Sequence, residues 1–234
     1  MTTRDYSPEF YRDHSKRYSQ IAHEFLQSVY QKSSHPGLKH DWDIWDQLKK
    51  FVPGKRGLDA GCGAGARDVY HAWSEGYDVT GIDAIEENIE VARDEHPEIA
   101  DRVWVADLGE PLQFEDESFD FVVCNAVIQH IEPDLVRKVV LPELARVLRP
   151  QGVLQLMFKH GQGILTMFDP AYGLKRTFQL YEEDDILSVL RKHSLELIAP
   201  GSPDELAGLM YLTDGKAVDH CVLFARKNGT YHQS

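Results

Sequence analysis

Cysteine, basic charge and long apolar runs are what this 234-residue chain has least of. Its three cysteines, Cys62, Cys124 and Cys221, form no CxxC pair. That argues against a disulfide framework or a zinc ribbon and fits a reducing compartment. No apolar stretch approaches the ~18 residues that span a bilayer. The polar, aromatic opening MTTRDYSPEFYRDHSKRY lacks the apolar core of a secretory signal. A cytoplasmic location with no membrane partner is the expectation. Lys and Arg number 25 against 38 Asp and Glu, for a formal net charge of −13. The imbalance is local: residues 1–55 hold nine basic and seven acidic side chains, whereas residues 83–134 hold two and sixteen. Proteins that grip nucleic acid offer its phosphates a basic stripe, and this one mostly repels them. No nucleic-acid partner is expected, and the acidic block reads first as a solvated face.

What is present is enough hydrophobic residue, 42%, for one sizeable core. Residues 7–32 carry Phe10, Tyr11, Tyr18, Ile21, Phe25 and Val29 at mixed helical spacing, which predicts one or two short helices outside the main sheet. After the break Ser33–Gly37 a helix is expected from Asp41 to Phe51. Strand and helix signals then alternate. Strands are predicted at Gly57–Asp59, Tyr77–Asp83, Val103–Asp107, Phe119–Asn125 and Val153–Phe158. Helices follow the first and second strands, and another runs from Pro133 through Leu148 into a turn at Arg149–Gly152. Near-continuous apolar strands between helices indicate a parallel sheet covered on both faces, an α/β doubly wound fold. Residues 1–55 form an N-terminal helical segment and residues 56–234 the main domain. Within it, residues 160–181 interrupt the pattern with Phe168, Tyr172, Phe178 and Tyr181, the candidate substrate wall.

The stretch Gly57-Leu58-Asp59-Ala60-Gly61-Cys62-Gly63-Ala64-Gly65-Ala66 joins the first strand to its helix. Glycines there let the backbone turn sharply and a ligand approach closely. Gly61, Gly63 and Ala66 also satisfy a dinucleotide fingerprint, so the string alone leaves NAD open. Three strand-end carboxylates separate the readings. Asp59 can pair with an amino-acid ammonium but would repel a pyrophosphate. Asp83 stands where carboxylates bind ribose hydroxyls, and Asp107 where one can accept from an adenine amino group. Each alone reads equally as a loop cap; an amine reader, a ribose reader and an adenine reader in that order describe S-adenosylmethionine (SAM).

Asp59-Ala-Gly-Cys-Gly-Ala-Gly65, Gly81-Ile-Asp83, Ala106-Asp107-Leu108, Phe119–Asn125, Gln129-His130-Ile131 and Leu148–Gly152 together resemble the successive motifs of class I SAM-dependent methyltransferases. The likeness is to the small-molecule branch labelled methyltransferase type 11, and it covers residues 54–160. It implies a Rossmann-like, seven-stranded, mostly parallel sheet with an antiparallel last strand, the final two strands falling at Leu195–Ile198 and His220–Arg226. It implies that Asp59, Gly61, Cys62 and Gly63 hold the methionine part of SAM, and Asp83 with Ala84 the ribose. Asp107 and Leu108 flank the adenine, Asn125 and Ala126 line the sulfonium side, and Tyr18 closes over the cofactor. S-adenosylhomocysteine is then the product.

Transfer from a sulfonium asks the protein for alignment, exclusion of water and, for a protonated acceptor, a base. His130 is the candidate base, because imidazole titrates near neutrality. Lys159, His160 and Arg176 are candidate substrate residues, with Lys159 or Arg176 able to pair with a substrate carboxylate. The chain has no Asn/Asp-Pro-Pro-aromatic motif, no Pro-Cys dipeptide and no metal-ligand cluster. The expectation is methyl transfer to a small-molecule O or N nucleophile, with acceptor identity and oligomeric state open. The competing readings are an NAD-dependent oxidoreductase and a non-catalytic SAM-binding accessory protein.

Overall fold

Burial on both faces makes a strand read as an unbroken apolar run, and such runs lie at the centre of the structure. It is a computed structural model that describes residues 8–26 and 29–229. Helix α1 (Pro8–Leu26) is followed by a two-residue strand β1 (Lys32–Ser33) and helix α2 (Asp41–Phe51). The alternating part runs β2 (Arg56–Ala60), α3 (Arg67–Ser74), β3 (Asp78–Asp83), α4 (Glu86–Glu95), β4 (Val103–Val105), β5 (Phe119–Asn125), α5 (Pro133–Leu135), α6 (Leu141–Val147) and β6 (Leu148–Lys159). Beyond it come β7 (Ile164–Asp169), β8 (Leu174–Gln179), α7 (Glu183–Lys192), β9 (Leu195–Leu197), β10 (Leu209–Thr213) and β11 (Asp219–Lys227).

The main sheet has nine strands, ordered β1-β10-β11-β6-β5-β2-β3-β4, with β9 also paired to β11. Strands β6, β5, β2, β3 and β4 are mutually parallel, and β11 enters antiparallel beside β6. The seven expected strands are all there. Two more, β10 and β1, extend the sheet past β11 by antiparallel pairing. Chain direction of growth reverses between β2 and β5, and open α/β sheets bind ligands in the crevice at that point.

Helices cover both faces. Leu48, Val69, Ala72, Ile89 and Ala92 of α2, α3 and α4 pack on one side with Phe121 and Val123. Leu144, Ile186 and Leu190 of α6 and α7 pack on the other with Val122 and Leu154. Residues 8–26, where one or two short helices are expected, form a single 19-residue helix, α1. It lies along α4, where the buried Ser19 hydroxyl donates to Glu95 at 2.6–2.7 Å and Arg12 pairs with Glu87 at 3.2 Å.

Two stretches depart from expectation for local reasons. The helix expected over 133–148 is interrupted by a π-helical turn, Val136–Val140, before α6. Pro142 has no N–H to donate, and the wider turn accommodates it. Arg149–Gly152, expected as a turn before the strand, is instead a bulge within β6. Phe119 pairs with Leu148 and Phe121 already with Val153, and Gln151 takes a left-handed φ of 67° to make the excursion.

Gly57 leaves room for the ring of Phe121, its register partner on β5. A Cβ there would lie 2.1–2.8 Å from the ring of Phe121, which is itself fully buried. Gly57→Ala is expected to cost about 1–3 kcal/mol by overpacking. A lower urea midpoint at unchanged slope is the measurement that checks it. An unchanged midpoint would mean that the Phe121 ring can move aside freely.

Candidate functional site

A cavity of about 620 Å³ opens at the carboxyl ends of β2, β3, β5 and β6. At its first end lies the loop between β2 and α3. Gly61 and Gly63 have φ of +93° and +66°, and side chains there would strike Val127 and Tyr18 at 2.4 and 2.6 Å. The loop is tied down by its own amides: Gly61 and Cys62 donate to the Ile82 carbonyl at 2.8 and 2.9 Å.

Asp59 ends β2 beneath this loop and is 5% exposed. No hydrogen-bond donor among the described residues meets its carboxylate. Burial, then the nearby Asp68 carboxylate, pushes its pKa well above the ordinary range. Arg67 is the nearest cation, but its guanidinium is taken by Asp41 at 3.0 Å and Asp68 at 2.7 Å. Asp59 is therefore a buried carboxyl facing a cavity and short of a cation.

Asp83 is differently employed. One oxygen accepts from the Ile85 amide and the Asn88 side chain at 2.9 and 3.1 Å, the other from the Gly63 amide at 3.0 Å. It thus starts α4, which has no side-chain cap of its own, and fixes the glycine loop. This is the loop-capping duty that the sequence also leaves open for it. Ala84 lines the cavity beside it. Asp107 lies two residues past the end of β4, exposed, with one oxygen accepting from the Gly109 amide at 2.7 Å; Leu108 beside it is buried. Tyr18 of α1 covers the glycine loop, and burial raises its phenol to about 12. Cys62 lines the cavity too, its thiol pushed up by burial and by Asp59. Asn125 and Ala126 form the adjoining wall, the Asn125 carbonyl oxygen accepting from Gln155 at 2.9 Å and Ala126 holding a left-handed φ of 56°.

The second end is lined by the β7–β8 hairpin and the turn between β10 and β11. Met167, Asp169, Arg176 and Phe178 face inward, while Ile164 and Phe168 on alternate positions of β7 are exposed. Asp169, 1% exposed, accepts from Arg176 at 3.1 Å and from Lys216 at 2.7 and 2.8 Å. It thereby joins the hairpin to the β10–β11 turn. The hairpin tip also meets α1, through Arg17 to the Ala171 carbonyl at 3.2 Å.

Lys159 and Arg176 both line this end, as does His130. His160 does not: its ring pairs with Glu183 at 2.7 Å and lies against Tyr211, outside the cavity lining. One residue further along β6 turns the side chain to the opposite face, which corrects the expectation for His160. His130 is also altered from expectation. Burial first, then Arg176 and Lys159, hold its pKa well below the ordinary imidazole value. The sequence reading missed Asp169, Asp214, Lys216 and His220, all at this end of the cavity. Asp214-Gly215-Lys216 reads locally as a hairpin turn, and only the pairing of β10 with β11 brings it to the site. Among the described residues no His/Cys/Asp/Glu group could hold a metal, and no helix is long and apolar enough to cross a membrane.

Residues 58–156 match a family model described as a methyltransferase domain. The 2-methyl-6-phytyl-1,4-hydroquinone methyltransferase of Synechocystis sp. is 31% identical over 134 residues, 57% of this chain and 39% of that protein. The chain spans about half or less of the length of the curated relatives it matches. Among solved structures, a SAM-dependent methyltransferase from Methanosarcina mazei aligns with a TM-score of 0.63 at 22% identity, over 77% of this chain and 96% of that one. The (4+2)-cyclase SpnF aligns at 0.64 and 16% identity, over 94% of each chain. At these identities the structural likeness is one of fold.

The electrostatics of the second end are open to a direct check. Ring NMR of His130 should show it neutral to well below the ordinary midpoint of about 6.5. Lys159→Met removes one neighbouring charge and should raise that midpoint. A wild-type midpoint at or above the ordinary value would mean the ring is solvated and beyond the reach of both cations.

Proposed function

We propose that this chain, whose residues 58–156 match a methyltransferase domain, is a class I SAM-dependent methyltransferase that transfers the methyl group of SAM to an oxygen or nitrogen nucleophile of a small molecule. The observation that carries the reading is Asp59. A buried carboxyl with no donor is costly unless a ligand supplies the cation, and the ammonium of an amino-acid moiety is such a cation. A pyrophosphate, as in NAD, would add a second negative charge to the same spot.

The other residues fit the same ligand. Asp83 has one oxygen with a single hydrogen bond, leaving a lone pair for a ribose hydroxyl. Asp107 has one oxygen unused for an adenine amino group, with the Leu108 side chain buried beside it. Of the N-terminal segment 1–55, Tyr18, Tyr30 and Asp41 form the cover over the cofactor, its residues 1–7, 27 and 28 lying outside the described ones, and residues 160–181 form the acceptor wall.

SAM brings a methyl group already activated on sulfonium, so the protein's part is placement, dehydration and charge. Asn125 and Ala126 position the reacting end. His130 stays neutral, which lets its ring accept a hydrogen bond or proton from an acceptor hydroxyl, though as a weaker base than free imidazole. The relative that acts on a hydroquinone supports a small aromatic acceptor. Because a cyclase shares the fold, turnover and not binding alone separates this reading from a non-catalytic SAM-binding role.

Asp59→Asn is the decisive variant. Calorimetry is expected to show SAM binding weakened by about 1.5–3 kcal/mol, the range for hydrogen bonds to charged groups. The ligand-free variant should at the same time melt higher than wild type, because an uncompensated buried carboxylate has been removed. The pH dependence has a defined sign. With the Asp59 pKa raised, acidification through it protonates the group in the folded protein first, so SAM affinity falls while ligand-free stability gains from this residue. A folded Asp59→Asn protein that binds SAM unchanged, or tight NAD binding by wild type, would falsify the assignment.

A further inference from the structure

Lys159 is the one cation lining the acceptor end with no carboxylate partner among the described residues. It ends β6, is 7% exposed, and lines the cavity. Its ammonium has one hydrogen-bond partner, Nε2 of His220 at 3.3 Å, and stands 4.5 Å above the ring of Phe178. It makes no ion pair with a carboxylate among the described residues. The His220 partner carries no compensating charge. Its Nδ1 faces the Val218 carbonyl at 3.1 Å and donates to it, so Nε2 is left as a neutral acceptor.

The neighbours sharpen the deficit. Arg176 stands 4.9 Å from the same Phe178 ring and His130 faces it at 5.4 Å between centroids. Arg176 and Lys216 already share the single carboxylate of Asp169. Asp214 spends one oxygen on the Lys216 and Val218 amides and presents the other to His220 at 3.9 Å. The charged and titratable groups facing Lys159 are therefore His130, Asp169, Arg176, Asp214, Lys216 and His220. With both imidazoles neutral, Lys159, Arg176 and Lys216 exceed Asp169 and Asp214 by one positive charge at this end of the cavity, and Lys159 is the cation of the three with no carboxylate in hydrogen-bond reach.

We infer that the methyl acceptor is a small acid, anchored by an oxyanion, a carboxylate or an equally acidic hydroxyl, that pairs with Lys159 above Phe178. The inference rests on the methyltransferase reading and names its substrate class. It also divides the two cations singled out in the sequence. Arg176 is committed to holding the hairpin through Asp169, and Lys159 is the substrate-pairing residue. The apolar lining beside it, Val127, Met167, Leu212 and Val218, suits an acid with a hydrophobic body.

The test uses the full chain loaded with S-adenosylhomocysteine and two probes of one shape, benzoate and benzamide. Calorimetry should show benzoate binding at millimolar concentration or better and at least tenfold tighter than benzamide. Lys159→Met should abolish the preference while S-adenosylhomocysteine affinity stays within a few-fold, and Lys159→Arg should restore part of it. Benzoate remains ionised throughout the alkaline range, so its affinity should fall as pH rises past about 8, where Lys159 loses its proton. In Lys159→Arg that fall should disappear. Equal binding of the two probes, no benzoate binding, or a preference that survives Lys159→Met would overturn the inference with the cofactor site intact. Failure of S-adenosylhomocysteine itself to bind would instead overturn the reading on which it rests.

Discussion

A carboxyl without a partner organises this molecule. Asp59 is fixed by β2, which lies mid-sheet between β5 and β3, so it cannot swing out to water. The cations that might neutralise it are spoken for, since Asp41 and Asp68 hold Arg67. The glycine loop above it is closed by amide bonds to Ile82 and by Asp83, and roofed by Tyr18. Arg67 is thereby withheld from Asp59, and the loop is held in place over it. The cost of the buried carboxyl is carried by a sheet whose core residues, from Leu58 to Phe224, are fully buried, and a cationic ligand would offset it.

The acceptor end follows the same logic with the sign reversed. One carboxylate, Asp169, is shared by two cations, and a third cation is left with a neutral imidazole. Burial lowers Lys159 to about 8, so it is still mostly charged at neutral pH but poised to lose its proton above it. Burial first, and then the same positive surroundings, keep His130 neutral. The two ends of one cavity thus have unmet charges of opposite sign, a field that would orient the proposed cofactor and acceptor.

Much of this was legible in the chain because it is local. The five parallel strands are short apolar runs bounded by turns. Asp59, Asp83 and Asp107 follow at or just beyond strand ends that periodicity locates. Helix α2 has the predicted limits. The misreadings share a cause in chain-distant pairing. Strands β10 and β1 are recognisable only once β11 offers an edge, and Asp214, Lys216 and His220 reach the cavity by that pairing. His160 looked equivalent to Lys159 because the exact register of β6 decides which of two neighbours faces in. His130 reads as a base of ordinary strength because its burial comes from tertiary packing and the cations that add to it, Arg176 and Lys159, lie 46 and 29 positions away.

Strand β6 is twelve residues long, and of it only Met157 and Lys159, near its carboxyl end, line the cavity. The glycine-loop end is lined from before this strand, from Tyr18 to Leu108, whereas the second end draws on both sides of it, Val127 and His130 from before and Lys159 to His220 from after. A graft that joins this chain's first 150 or so residues to the C-terminal third of a relative, through the buried middle of β6, would therefore keep the glycine-loop end whole and exchange most of the other, with Val127 and His130 the native side chains that the incoming half must fit.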